Sequence, residues 1–254
     1  MNAGEHTGDD LQRWNAVADA YAEATGPAGD SFYRRLRPFL EAELPDLDGA
    51  RVLDLGCGHG WLAGEYAARG AAVVGVDGSA ALLERARAEH PAARFVEADL
   101  VQGLPADLLD PPFDAVVAHM VVMDVPDLTD LFADVARALT RDGVFVASLL
   151  HPAYFSHAVD GPEAPRPWRR HVGGYLDHEE RWIAAFGGHR HYHRPLSWYV
   201  GQLAAAGFVV TGLTEPPSLP QHGRPEAEWT EHERWFSRIP TMLAWSARLR
   251  SPGA

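Results

Sequence analysis

Residues 51–62 read RVLDLGCGHGWL: a short apolar run, then glycines at 56, 58 and 60, then a run of helical character. Glycine permits a sharp backbone turn and close approach of another group, so the pattern predicts a buried strand, a tight loop and a helix. The same rhythm recurs along the chain. AAVVGVD predicts a second strand ending at Asp77, SAALLERARAEH a helix with Ser79 as N-cap, ARFVEADL a third strand and FDAVVAHM a fourth. LTDLFADVARALT predicts a helix, DGVFVASLL a fifth strand, PLSWYVGQLAAAG a helix, FVVTGLTEP a strand and PTMLAWSARL a last strand. Gly70 is expected to close the helix WLAGEYAARG. Two helical stretches precede the glycine loop, residues 11–25 with Trp14, Val17, Ala18 and Tyr21 on one face, and SFYRRLRPFLEAEL. Short apolar strands alternating with helices predict an α/β fold, a Rossmann-like doubly wound sheet with helices on both faces.

Such a sheet binds ligands at the carboxyl ends of its strands. Gly56, Gly58 and Gly60 lie at one such end, and Asp77 and Asp99 at the next two. A carboxylate at Asp77 suits two ribose hydroxyls, and Asp99 suits an adenine amino group. The spacing G-x-G-x-G followed by Trp61 departs from the G-x-G-x-x-G of dinucleotide sites, which argues for a nucleoside ligand over a pyrophosphate. The formal net charge of −13 argues against nucleic acid as a partner. No apolar stretch is long enough for a membrane span, no secretory signal is evident, and Cys57 is the only cysteine; a cytoplasmic location is expected.

With these motifs the chain resembles the small-molecule branch of the class I S-adenosylmethionine-dependent methyltransferases, over most of residues 12–150 and more weakly over 193–250. The resemblance implies a seven-stranded sheet, mostly parallel, with an antiparallel last strand. It implies S-adenosyl-L-methionine as cofactor and S-adenosyl-L-homocysteine as product. It assigns Asp54 to the methionine ammonium, the loop Gly56, Cys57, Gly58 and Gly60 to wrapping the cofactor, Asp77 with Gly78 to the ribose, and Asp99 with Leu100 to the adenine. His119, at the end of strand four, falls beside the methionine and the transferable methyl, and Tyr21 on a helix folded across the cofactor. The whole chain, 1–254, reads as a single methyltransferase domain with a helical cap at about 10–45 and a lid insert at about 151–194. Relatives often read LHH after strand four, where this chain has HMVVMDVPD, so the acceptor side departs from the family pattern.

Methyl transfer from a sulfonium is an in-line displacement in which the protein positions the acceptor and excludes water. A hydroxyl acceptor must also lose a proton, and His151, then His193, then His119 are the candidate bases. The expected reaction is methylation of an oxygen or nitrogen of a small molecule, an aromatic or polyketide-like product of secondary metabolism. The alternative is a non-catalytic protein that keeps the cofactor pocket for binding or scaffolding. A homodimer is left open. HRHYH, with His189, His191 and His193 at alternate positions, has the spacing of one strand face; with no completing ligand nearby, no metal is assigned. DPPF, residues 110–113, precedes strand four and reads as a turn.

Overall fold

The computed structural model describes residues 3–26, 31–155, 161–219 and 224–251. Its strands, in chain order, are β1 (Arg51–Leu55), β2 (Ala72–Asp77), β3 (Arg94–Glu97), β4 (Phe113–His119), β5 (Leu139–Leu150), β6 (Glu179–Ile183), β7 (His189–His193), β8 (Phe208–Thr214) and β9 (Met242–Leu249). Its helices are α1 (Ala3–Ala24), α2 (Ser31–Glu43), α3 (Trp61–Ala68), α4 (Ala80–Glu89), α5 (Thr129–Ala138), α6 (Leu196–Ala205) and α7 (Glu231–Phe236).

Seven strands form one sheet in the order β3-β2-β1-β4-β5-β9-β8. β1, β2, β3, β4 and β5 pair in parallel, and β9 runs antiparallel between β5 and β8. The last strand is therefore antiparallel, as the resemblance implied. The chain winds outward from β1 to β3 and returns to β4 on the other side of β1, which opens a crevice at the carboxyl ends of β1 and β4.

The one-in, one-out alternation of strand side chains divides the core into two layers. Leu53, Val116, Phe145 and Trp245 pack with Phe132 of α5 and Tyr199 of α6. Val52, Val73, Val117 and Val146 pack with Leu36 of α2, Leu62 of α3 and Leu83 of α4. Each such side chain, fully withdrawn from water, contributes about 1.5–3 kcal/mol. Ser79 caps α4 as expected, accepting the Leu82 N–H at 3.3 Å. Gly70 follows α3 with φ 93°.

Residues 151–194 hold more regular structure than their sequence announces. β6 and β7 form an antiparallel hairpin, and the Tyr192 N–H donates to the Met123 carbonyl at 2.7 Å, laying the hairpin along the loop after β4. The alternate histidines 189, 191 and 193 occupy the buried face of β7. His193 ends that strand, two residues before Pro195, the N-cap of α6. Residues 156–160 of this segment lie outside the described residues. A further short helix, α7, carries a capping box between Thr230 and Glu233.

α1 is tied at both ends of the crevice. Asn15 Oδ1 accepts from Ser79 Oγ at 2.8 Å and from the Ala81 N–H at 3.1 Å. Asp10 accepts from Arg190 at 2.7 Å and from the Tyr192 hydroxyl at 2.9 Å. The helix thus bridges the start of α4 and the hairpin.

Candidate active site

The glycine loop leaves β1 in left-handed conformations, with φ 62° at Gly56, 54° at Gly58 and 80° at Gly60. Two of these glycines are also sterically required. A Cβ at Gly56 would lie 2.4 Å from Val121 Cγ2, and one at Gly60 would lie 2.8 Å from Ala86 Cβ and from Phe95 Cζ. Gly60 is the N-cap of α3, so its role is to seat the helix against α4 and β3.

The loop borders a cavity of about 460 Å³ at the β1/β4 crevice. Of the residues expected at the site, Tyr21, Gly56, Gly58, Asp77, Gly78, Asp99, Leu100 and His119 line it. Asp54, Cys57, Gly60, His151 and His193 do not. Cys57 is buried in the α2, α3 and α4 layer, and burial, reinforced by Asp77 and Asp54, pushes its thiol well up.

The carboxylates differ in their surroundings. Asp77 Oδ2 accepts the Gly58 N–H and Oδ1 the Ser79 N–H, both at 2.8 Å. Burial raises its pKa, and the N–H groups of Ser79, Gly58 and Gly78 oppose that rise. Asp99 Oδ1 accepts the Val101 N–H at 3.0 Å, fixing the short turn that carries Leu100. Asp54 is buried and pushed up to about 8, by desolvation first and by Asp77 second. Its Oδ2 has no hydrogen-bond partner among the described residues.

The three histidines also separate. His119 Nδ1 lies 2.8 Å from Ser148 Oγ, which also receives the Met120 N–H at 3.2 Å. Its ring meets Trp61 and Tyr33 edge to face, and Met120 turns the chain with φ 57°. His151 Nδ1 accepts the Ala153 N–H at 3.1 Å, so Nε2 carries the proton and donates to Glu215 Oε1 at 2.6 Å. That leaves the His151 ring no lone pair for a substrate proton. His193 Nε2 donates to the Tyr175 carbonyl at 3.1 Å in a buried position.

The methyltransferase domain family matches residues 53–147. The chain is 34% identical to the ubiquinone biosynthesis O-methyltransferase of Xanthomonas oryzae over 171 residues, 63% of this chain and 70% of that protein. It is 35% identical to a trans-aconitate 2-methyltransferase of Azoarcus over 140 residues, 53% of each chain. Among solved structures, an S-adenosylmethionine dependent methyltransferase from Mesorhizobium loti superposes with a TM-score of 0.70 at 30% identity, over 84% of this chain and 97% of that one. The protein belongs to the class I S-adenosylmethionine-dependent methyltransferases.

The cofactor of this methyltransferase is S-adenosylmethionine, and the residues present suit it. The carboxyl group of Asp77 lies at the cavity wall and keeps accepting capacity beyond its backbone bonds. The orphaned Asp54 oxygen matches a cationic or water-bridged ligand group. At Gly56 the backbone passes Val121 in space that a side chain would fill.

The methyltransferase cavity also contains residues that sequence reasoning did not single out as site residues. Asp10 and Leu11 come from α1, Val121 and Asp124 from the loop after β4, and Phe186 from the hairpin turn. His189, noted only as part of HRHYH, lines it too, with its ring 4.8 Å from Trp14. The only sequence signal for Asp124 was the departure of HMVVMDVPD from LHH. Asp10 carried none: it precedes the helix expected over 11–25, where an acid is ordinarily solvated, whereas α1 begins at Ala3 and carries Asp10 within it. Among the described residues no group of three or more His, Cys, Asp or Glu is placed to hold a metal, and no helix is long and apolar enough to cross a membrane.

Proposed function

We propose that the enzyme methylates an oxygen or nitrogen of a small-molecule acceptor, with His119 taking the proton when the acceptor is a hydroxyl. One observation carries the reading: a single cavity is lined by both the acids at the ends of β2 and β3 and the histidine at the end of β4. Bound S-adenosylmethionine supplies an activated methyl group, so the chain's task is to bind, orient, exclude water and accept a proton. Asp77 and Gly78 receive the ribose hydroxyls, Asp99, Leu100 and Val101 border the adenine, and Asp54 with the Gly56–Gly60 backbone holds the methionine end. Cys57 contributes its backbone to that loop. His119 is oriented through Ser148 and can present Nε2 to the acceptor. His151 and His193 act as structural groups, because their hydrogen bonds engage them elsewhere.

The whole chain is read as one domain. α1, with Trp14 and Tyr21, and the 151–194 segment, with the β6–β7 hairpin, cover the cavity and keep water out. The relatives' names support a small acceptor, an oxygen being methylated in the ubiquinone pathway enzyme. Isothermal titration with S-adenosylmethionine, S-adenosylhomocysteine and NAD tests the donor site, with the first two expected to bind and NAD not. Incubation with a metabolite panel tests the transfer: a product heavier by one methyl is expected. A panel product modified at carbon in place of oxygen or nitrogen would overturn the assignment.

A further inference from the structure

The cavity has a second acidic wall, Asp10 and Asp124, apart from the acids assigned above to the donor. Asp124 lies five residues past β4, and its side chain is 10% exposed. Its Oδ1 is buried with no hydrogen-bond partner among the described residues. His189 Nε2 and His191 Nδ1 approach to 4.0 and 3.9 Å, beyond hydrogen-bond length. Neighbouring groups are engaged with one another: Asp10 accepts from Arg190 and Tyr192, and Arg194 donates to the carbonyls of Val125 and Pro126. A buried carboxyl oxygen without a donor carries a desolvation cost that a ligand donor removes. Among the described residues, no lysine or arginine lines the cavity.

We propose that Asp124 is the acceptor-recognition residue of this enzyme, taking a hydrogen bond from an amine or hydroxyl of the acceptor and rejecting a carboxylate at that place. The inference rests on the methyl-transfer reading above and adds the class of acceptor. Burial first and the nearby Asp10 second hold the Asp124 carboxyl well above the usual range, with the Arg194 charge opposing them; an ammonium relieves that balance and a carboxylate worsens it. Beside it, Trp14 and Phe186 flank the His189 ring, with centroids 4.8 and 6.5 Å away, and give an aromatic acceptor apolar faces to pack on.

Three probes that share a phenyl ring and differ at the chain end test this: phenethylamine, 2-phenylethanol and phenylacetate. Each is titrated by calorimetry into the enzyme saturated with S-adenosylhomocysteine. Wild type is expected to bind the amine and the alcohol, the amine roughly tenfold to hundredfold more tightly than phenylacetate. Asp124→Asn keeps the shape and an accepting oxygen, so it should hold the alcohol and lose most of the preference for the amine. Asp124→Ala should lose both. Phenylacetate binding as tightly as phenethylamine, no binding of any probe to wild type, or an unchanged order in both variants would overturn the proposal. A parallel loss of S-adenosylhomocysteine affinity in the variants would also overturn it, by assigning Asp124 to the donor. Failure of wild type to bind S-adenosylhomocysteine, measured first and without a probe, would instead bring down the methyl-transfer reading.

Discussion

The two ends of the cavity are built differently. The end that includes Asp77 and Asp99 comes from residues 56–101, and its groups are held by bonds of short sequence reach: Asp77 to Gly58 and Ser79, Asp99 to Val101. The other end gathers Asp10 and Trp14, Asp124, and Phe186 and His189 from three segments far apart in sequence. Those segments are joined by long-range contacts such as Asp10 to Arg190 and Tyr192 to Met123. A strand end followed by a tight turn fixes its own side chains, so the first end is a local property of the chain. The second exists only once helix, loop and hairpin have docked.

That contrast can be broken at several points. The largest effect is expected at their junction. His119→Ala should lower the turnover of a hydroxyl acceptor about 10²–10⁴-fold while S-adenosylhomocysteine affinity, read by calorimetry, stays within a few-fold. His151→Ala should cost much less, because both of its ring nitrogens are already engaged. A larger loss at His151 than at His119 would return the base to the end of β5.

Within the first end, Asp77→Ala should weaken S-adenosylhomocysteine binding roughly 100-fold, since the ribose hydroxyls lose a charged partner and the Gly58 and Ser79 N–H groups lose their acceptor. Unchanged binding would remove Asp77 from the site.

Asp54 sharpens the comparison through pH. Its carboxyl, pushed up to about 8, is protonated at pH 6 in the free enzyme. Binding a cationic ligand group favours the ionised form and releases the proton, so affinity should rise with pH and level off near 8. A gain of roughly tenfold between pH 6 and 8 is expected, with proton release seen as a buffer-dependent heat. Asp54→Asn should flatten the profile; a profile unaltered in that variant would detach Asp54 from the ligand.

The smallest effect is expected in the docked end. Hydrogen exchange across residues 179–193 should slow a few-fold when donor and acceptor are both bound, and Trp14→Ala should reduce that protection by removing the ring beside His189. Equal exchange in free and bound enzyme would make the hairpin a rigid insert.

The sequence by itself determined the alternating strands and helices of the sheet and the residues that gather at its Asp77 and Asp99 end; the antiparallel last strand came from the family resemblance. Periodicity reports which side chains a strand or helix buries, and Asp77 is held by neighbours only two and nineteen residues away. Tertiary structure decided the rest. Nothing in HPAY announces that Glu215, 64 residues on, and the Ala153 N–H engage both nitrogens of His151. Nor does HRHYH tell that its alternate histidines face inward, or that Asp124 is left with a buried, unbonded oxygen beside them. A lone polar residue in a loop has no period, and its partners come from other segments. Its environment is therefore fixed by docking, and that docking depends on the packing of the whole molecule.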